Sequence, residues 1–555
     1  LLTSARYDGG AAIPVLRSES MGYSLVAVSD DGELLEWAPG PGRFPFVTLR
    51  LSGKHDEAET MRSNASGIGT LVAMRNGTHW TLTDTYRHAS LLGHSSQPLA
   101  IGLRGRPRAD FVALNWSDGV FQTELDLESG RVLRIAETER QLSSCPVLFA
   151  WDGERYAFVT DLLGVGGLGG LVEPGVVGTP RPWERLSLPP GTTTARDGVL
   201  QFKLTEPMQE NAYVDAVTLE YYDLPPGWQL VIDERMATAR PKVTGDVLFY
   251  RTSVSPTAAR ASQGTDVLAT IVARDNLAME PGNIDRRFIG MLESEESVTL
   301  EFGQPIDRLA ENPQAVPVLV ADAWVEYPYS QTVFAAWQAG LQYRSASLAA
   351  RDGNGDWHEV YPDFGYPAGM PREMSLPLHD LPEGTDALRL SWNRELYWDR
   401  IRVVFAESPP ADMRSNALGP KLARVAKTGF AKRSMHAQRR PEYDYDKRVP
   451  FWDTEYATGY YTDLGDMTEL VADADDAVAI IGSGEEIHLE FEAGSVPEGL
   501  NRWYVLETRG WAKDLDLYTH EGTTVGPLPR ASAGADDENR ELLHRRYNNR
   551  FQAGR

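Results

Sequence analysis

The stretch Val214-Asp-Ala-Val-Thr-Leu-Glu-Tyr-Tyr222 decides the fold class. Apolar β-branched and aromatic residues recur at nearly alternate positions, with Asp215, Thr218 and Glu220 between them. Side chains of a strand point to opposite faces in turn, so this spacing predicts a strand with one face in a core. The same reading extends to Ser24-Leu-Val-Ala-Val28, Phe46-Val-Thr-Leu-Arg-Leu51, Val199-Leu-Gln-Phe-Lys-Leu204, Ser297-Val-Thr-Leu-Glu-Phe302, Ala387-Leu-Arg-Leu-Ser391, Ile401-Arg-Val-Val-Phe405 and Glu486-Ile-His-Leu-Glu-Phe491. Asp31-Gly32, Asn76-Gly77, Asp152-Gly153 and Asp352-Gly-Asn-Gly-Asp356 supply the turns, because these residues tolerate positive φ. Helical periodicity is confined to Ser330 to Gln342 and Asp536 to Arg550; in the second, acids precede bases, as the helix dipole favours. The fold class is therefore mainly β, with several β-sandwich or jelly-roll-like domains and few short helices.

The chain has 555 residues, of which 42% are apolar, enough to build real cores. At roughly 100–200 residues per domain, the length corresponds to about three to five domains. With 54 Lys+Arg against 79 Asp+Glu, the formal net charge is −25, which argues against a general nucleic-acid binder. The single cysteine, Cys145, cannot form an internal disulfide or a Cys-based zinc site. No run of about 18 apolar residues predicts a transmembrane helix. The sequence starts at Leu1 without a methionine, as expected of a processed or truncated product.

Phe46-Val-Thr-Leu-Arg-Leu-Ser-Gly53, Arg62-Ser-Asn-Ala-Ser-Gly-Ile-Gly69, Gln97, Ile101-Gly-Leu103 and Ala109-Asp-Phe-Val-Ala-Leu-Asn-Trp-Ser-Asp-Gly119 follow in order. This pattern resembles an ASPIC/UnbV domain, the module that follows FG-GAP/VCBS propeller repeats in cartilage acidic protein-like bacterial proteins. The family's Gly-Ile-Gly-Ala step reads Gly67-Ile-Gly-Thr70 here, and its Trp-Pro-x-Gly step reads Trp116-Ser-Asp-Gly119. Segments similar to the long bacterial members continue at 145–161, 204–215, 366–372, 397–401 and 510–516. The resemblance implies a secreted, periplasmic or cell-surface protein, and the C-terminal part of a larger precursor whose propeller lies upstream. Residues 1–45 are then expected to be the last propeller blade and 46–140 the ASPIC/UnbV-like domain. A β-sandwich is expected at 141–306, a galactose-binding-like β-sandwich at 307–407, and a C-terminal β domain ending in a short helix at 408–555.

Four sets of residues could carry function. Trp324, Tyr327, Tyr329, Trp392, Tyr397 and Trp398 form the densest aromatic clusters. Exposed rings on a sandwich would stack on sugars, whereas buried ones would serve packing. Asp352, Asn354 and Asp356 alternate as oxygen ligands of a calcium loop do, but equally suit a hairpin turn. Lys421, Arg424, Lys427, Lys432 and Arg433 belong to a basic island that could dock a protein partner or an anionic surface, or be solvated and paired internally. Glu206, Glu210 and Asp215 are close enough in sequence for paired-carboxylate hydrolysis of a polysaccharide, in a chain rich in acids. Gly164 to Gly170 lacks the lysine of a phosphate loop and reads as a flexible connection. The expected function is non-catalytic and extracytoplasmic: a binding or scaffold protein engaging a protein partner or surface glycan within a larger assembly. A secreted polysaccharide-active hydrolase is the alternative.

Overall fold

A computed structural model describes residues 12–18, 22–40, 44–53, 63–86, 98–117, 121–137, 145–173, 175–237, 240–448, 456–515, 518–530 and 537–554. Gln97, Arg62 and the Asp118-Gly119 end of the second motif lie outside the described residues. The chain divides into two compact units, 1–140 with 450–454, and 141–449 with 455–555. It is mainly β, in several separate sheets.

In the first unit, Ile13–Ser18, Gly22–Val28 and Leu34–Trp37 make a three-stranded antiparallel meander, turning through Gly32 at φ +81. A small two-sheet sandwich follows. Its three-stranded sheet orders Val132–Ala136, Phe46–Ser52 and Leu99–Gly102, the first two running parallel. The four-stranded sheet orders His79–Asp84, Leu71–Asn76, Arg108–Asn115 and Phe121–Glu128. Val47, Leu49, Val72, Met74, Val112 and Leu114 fill the space between the sheets. The Gly67-Ile-Gly step forms a fixed turn: Asn64 accepts from the Ile68 amide at 2.8 Å, and the Thr70 and Thr85 hydroxyls both donate to the Gly67 carbonyl. At φ +58, with an added Cβ falling 2.9 Å from the Leu51 Cβ, only glycine suits position 67.

The second unit holds two sandwiches. One faces the sheet of Tyr156–Asp161, Val147–Trp151, Val199–Thr205, Glu485–Glu492, Leu422–Lys427 and Gly465–Asp466 against Trp183–Leu188, Asn501–Asp514, Glu210–Leu224 and Arg414–Leu418. Leu148, Phe202, Val214, Leu219, Leu489 and Leu506 share its core. The other sandwich, spanning 229–407, places Val316–Val325 and Leu396–Glu407 at the middle of one sheet and Met291–Glu301 and Ala387–Arg394 at the middle of the other. Val298, Leu300, Leu319, Leu388, Leu390 and Phe405 meet between them.

The expected boundary at 306 does not follow these sheets, and 408–555 does not stand as a domain of its own. Met291–Glu301 pairs with Ala387–Arg394, and Val199–Thr205 pairs with Glu485–Glu492. Residues 145–224 and 414–514 thus close one sandwich around the inserted 229–407. Local periodicity shows strands but carries no signal for partners nearly 290 residues apart in sequence. Both expected helices form, as Ser330–Gln338 and Asp537–Tyr547. The first stops short of Gln342 because Gly340 turns the chain at φ +75.

Candidate functional site

The predicted aromatic set is mostly core. Trp324, Trp392, Tyr397 and Trp398 are at most 3% exposed and belong to the core of the 229–407 sandwich. Trp324 stacks on Tyr397 at 5.6 Å, and Trp392 meets Trp398 edge-on at 5.6 Å. No sugar could reach these rings. Tyr327 and Tyr329 are also buried, but they lie at the wall of a cleft of about 490 Å³. That volume lies within the range of roughly 300–1,000 Å³ typical of small-molecule sites.

The cleft is built from both sandwiches of the second unit. One end carries Tyr343, Asp363, Tyr366 and Arg394. Arg394 ends the inward row Leu388, Leu390, Trp392, one residue pair beyond the core, so it reaches the cleft instead of the packing. Its guanidinium lies 4.5 Å from the Tyr366 ring centroid and 5.3 Å from that of Tyr343. The Nε and Nη1 donors of Arg394 are buried without a hydrogen-bond partner, and so is Oδ1 of Asp363. Burial raises the pKa of Asp363, with Arg394 opposing the shift. Tyr327 is 5% exposed and its hydroxyl also lacks a partner; burial pushes it well above the usual phenol range. Tyr343 is held by a 2.6 Å hydrogen bond to the Ile289 carbonyl.

The other end is acidic. Glu210 opens its strand, Asp514 closes the neighbouring one, and the two stand in register across the pair. Glu206 is buried beside them, its Oε1 accepting from the Met208 amide at 2.9 Å. Burial drives its pKa well above normal, and the charge of Asp514 adds to the rise. Met208 packs on Tyr329, which precedes the helix Ser330–Gln338. That helix lends Ser330, Val333 and Trp337 to the wall.

The glycine-rich segment forms part of the wall and is pinned rather than flexible. Leu168 donates to the Ala512 carbonyl at 2.7 Å, and Arg181 to that of Val165 at 2.8 Å. A Cβ on Gly166 would fall 2.5 Å from the Gly510 carbonyl oxygen.

The remaining predicted sets separate. Asp215 is fully buried away from the cleft lining and pairs with Arg509 at 3.0 Å, so it does not join Glu206 and Glu210 in one site. Asp352 spends Oδ1 on the amides of Asn354 and Asp356 and Oδ2 on His358, which is the bonding of a tight turn. Among the described residues, no group of three or more His, Cys, Asp or Glu is placed to hold a metal ion. In the basic island, Lys421, Arg424, Lys427 and Lys432 are exposed and Arg433 is half-buried. Lys421 pairs with Glu492 at 3.3 Å, the Lys427 ammonium lies 5.0 Å from the Tyr456 ring centroid, and Lys432 stands opposite Asp444. Arg439 turns inward, 2.9 Å from Glu395 and 3.4 Å from Glu326, all three buried.

Asp363, Tyr343, Arg394 and Asp514 were not singled out from the sequence. Arg394 lies inside the aromatic cluster at 392–399, and Asp514 inside the family-like segment at 510–516. Tyr366 opens another such segment. A polar residue continuing the inward row of a strand is the one local signal.

Residues 60–142 match the family model described as ASPIC and UnbV, so the chain carries this domain within its first 142 residues. A comparison with curated proteins gave no match. Among solved structures, the chain is similar to a point-mutant form of the arabinofuranosyltransferase AftD from mycobacteria, with 12% identity over 85% of this chain and 32% of that chain, at a TM-score of 0.13. A second AftD structure gives 11% identity, 89% and 32% coverage, and a TM-score of 0.12. The chain spans about a third of the AftD length, and TM-scores this low carry no argument about fold or activity. No helix among the described residues is long and apolar enough to cross a membrane.

Proposed function

We propose that the protein is a non-catalytic extracytoplasmic binding protein that holds a glycan in the cleft of its second unit. One observation carries this reading: an acceptor (Asp363 Oδ1), two donors (Arg394 Nε and Nη1) and the Tyr327 hydroxyl are buried, unpaired and gathered in one aromatic-walled cleft. Buried polar groups are costly unless paired, and a sugar's hydroxyls supply both donors and acceptors. Tyr343 and Tyr366 offer apolar faces of the kind that stack on sugar rings. The ASPIC/UnbV domain fits an exported protein with an upstream propeller in the same precursor. The exposed lysines at 421–432 are available to a protein partner in such an assembly.

A glycan array followed by calorimetry tests the reading. Arg394→Ala and Asp363→Ala should each weaken the best glycan at least about tenfold, or about 1.4 kcal/mol. Silence across the array, or unchanged affinity in both variants, would refute it. The register pair Glu210 and Asp514 supports a second reading, a hydrolase with two facing carboxylates. Release of reducing ends from a bound polysaccharide, abolished by Glu210→Gln, would decide for it.

A further inference from the structure

The four-stranded sheet of the first unit buries one face, with Val72, Met74, Val112 and Leu114 in the core. Alternation sends the residues between them to the other side. There the register sets Trp80, Arg75, Phe111 and Leu125 side by side, one from each strand. Leu82 stands beside Ala73 in the next row, and Leu71 in the one after. Leu82 is 76% exposed and Trp80 53%, and Leu71 and Leu125 are exposed as well. Trp80 meets Phe111 edge-on at 5.3 Å, and the Arg75 guanidinium lies 6.0 Å from the centroid of the same ring. Apolar side chains gathered on a surface in this way mark a site that another body covers.

Cations collect beside the Trp80 row. Asn76 Nδ2 donates to the Leu103 carbonyl at 2.7 Å, which ties the hairpin turn at Gly77 to the loop after Leu103. That loop turns through Arg104 at φ +52 and Gly105 at φ +87. It lays the Arg106 guanidinium on Gly77, where an added Cβ would fall 2.4 Å from Nη2. Asp110 accepts from the Gly77 amide at 2.6 Å, Asp126 lies 3.6 Å from Arg108, and Glu128 lies 3.4 Å from Arg131. Arg75, Arg104 and Arg106 are exposed and enter no ion pair among the described residues.

We infer that this face of the first unit docks on an anionic lipid surface. Trp80, Leu82 and Leu125 enter the boundary between headgroups and acyl chains, and Arg75, Arg104 and Arg106 engage the lipid phosphates. The inference is independent of the cleft. A lipid surface presents phosphates and hydrocarbon at one boundary, the same pairing that this face displays in complement. Tryptophan favours that boundary, and the planar fork of arginine suits phosphate. A polysaccharide would press its hydroxyls against Leu71, Leu82 and Leu125, which offer them no hydrogen bond.

The test sediments the full chain with vesicles of phosphatidylcholine alone and of phosphatidylcholine mixed with phosphatidylglycerol. Binding should be at least about tenfold tighter to the anionic vesicles and should weaken as salt is raised. Each basic residue near such a surface is worth about fivefold, so Arg104→Gln/Arg106→Gln should lose about tenfold or more. Trp80→Ala/Leu82→Ser should lose at least about tenfold as well. Thermal melting confirms that this variant is folded, and Leu82→Ser alone provides the same readout if it is not. Lys427→Gln/Lys432→Gln, in the second unit, should bind as the parent does. Equal affinity for the two vesicles, binding to neither, or loss only in the lysine variant would overturn the inference. A dimer in sedimentation velocity that Trp80→Ala/Leu82→Ser abolishes would assign the face to a second copy and overturn it too.

Discussion

Gly166 and Arg439 show how single residues fix the surroundings of the cleft. A methyl group at Gly166 would meet the backbone oxygen of Gly510 at 2.5 Å, and that oxygen belongs to a central strand that cannot move aside. Gly166→Ala should therefore cost about 1–3 kcal/mol in denaturant unfolding and loosen the cleft wall. Among the described residues, the ion pairs place Arg439 on both the buried Glu326 and the buried Glu395, so Arg439→Ala removes that cation from two carboxylates in the core. A loss of about 3–5 kcal/mol is expected at neutral pH. Burial already raises the pKa of Glu395, with Arg439 opposing it, so the variant should recover part of its stability when acid protonates that group. Neither role was legible beforehand. A run of lysines and arginines shows charge, but not that Arg439, six residues after Arg433, turns into a neighbouring sandwich. The glycines read as flexible because nothing local reports the strand pressed against them.

At the scale of elements, Asp537–Tyr547 was legible because its own composition makes it a helix, with Asp537 and Glu538 at the start and His544, Arg545 and Arg546 at the end. What holds it down was not. Leu543 is buried in the core, and the Val478 amide donates to Nε2 of His544 at 2.9 Å, which requires an unprotonated imidazole. Burial, with Arg540 nearby, lowers the His544 pKa to about 4. Below about 6.5 an undocked helix takes up a proton on His544 that the docked one refuses until about 4. The docking is therefore fully favourable above that range and lost as pH falls through it. Hydrogen exchange across 537–547 should speed up between pH 6.5 and pH 4 relative to the central strand Glu210–Leu224, after correction for intrinsic rates. Unchanged relative protection would show that His544 does not anchor the helix.

At the scale of the molecule, the second unit is governed by long-range pairing and by buried acids. Strand alternation was read correctly at the six stretches quoted from this unit, whereas the enclosure of one sandwich within the other depends on pairings that only the folded chain displays. The acids follow from that enclosure. Asp161 is raised to about 6 and Glu184, Asp215 and Glu373 to about 7, in each case chiefly by burial. Arg372 is 2.7 Å from Glu184 and Arg509 is 3.0 Å from Asp215, yet desolvation outweighs both cations. Each group keeps its proton in the fold to a higher pH than in the unfolded chain, where carboxyls release it near 4. Between about pH 4 and pH 7 the native state thus binds more protons, so stability falls as pH rises and levels off above 7. His544 and His488 work the other way below about 6.5, but they are two groups against these four. Calorimetric melting of the second unit should give a midpoint that declines steadily from pH 5 to pH 8. A rising midpoint over that interval would mean that the ion pairs with Arg372 and Arg509 prevail over burial. In that case the second unit would be held by charge pairing rather than by exclusion of water.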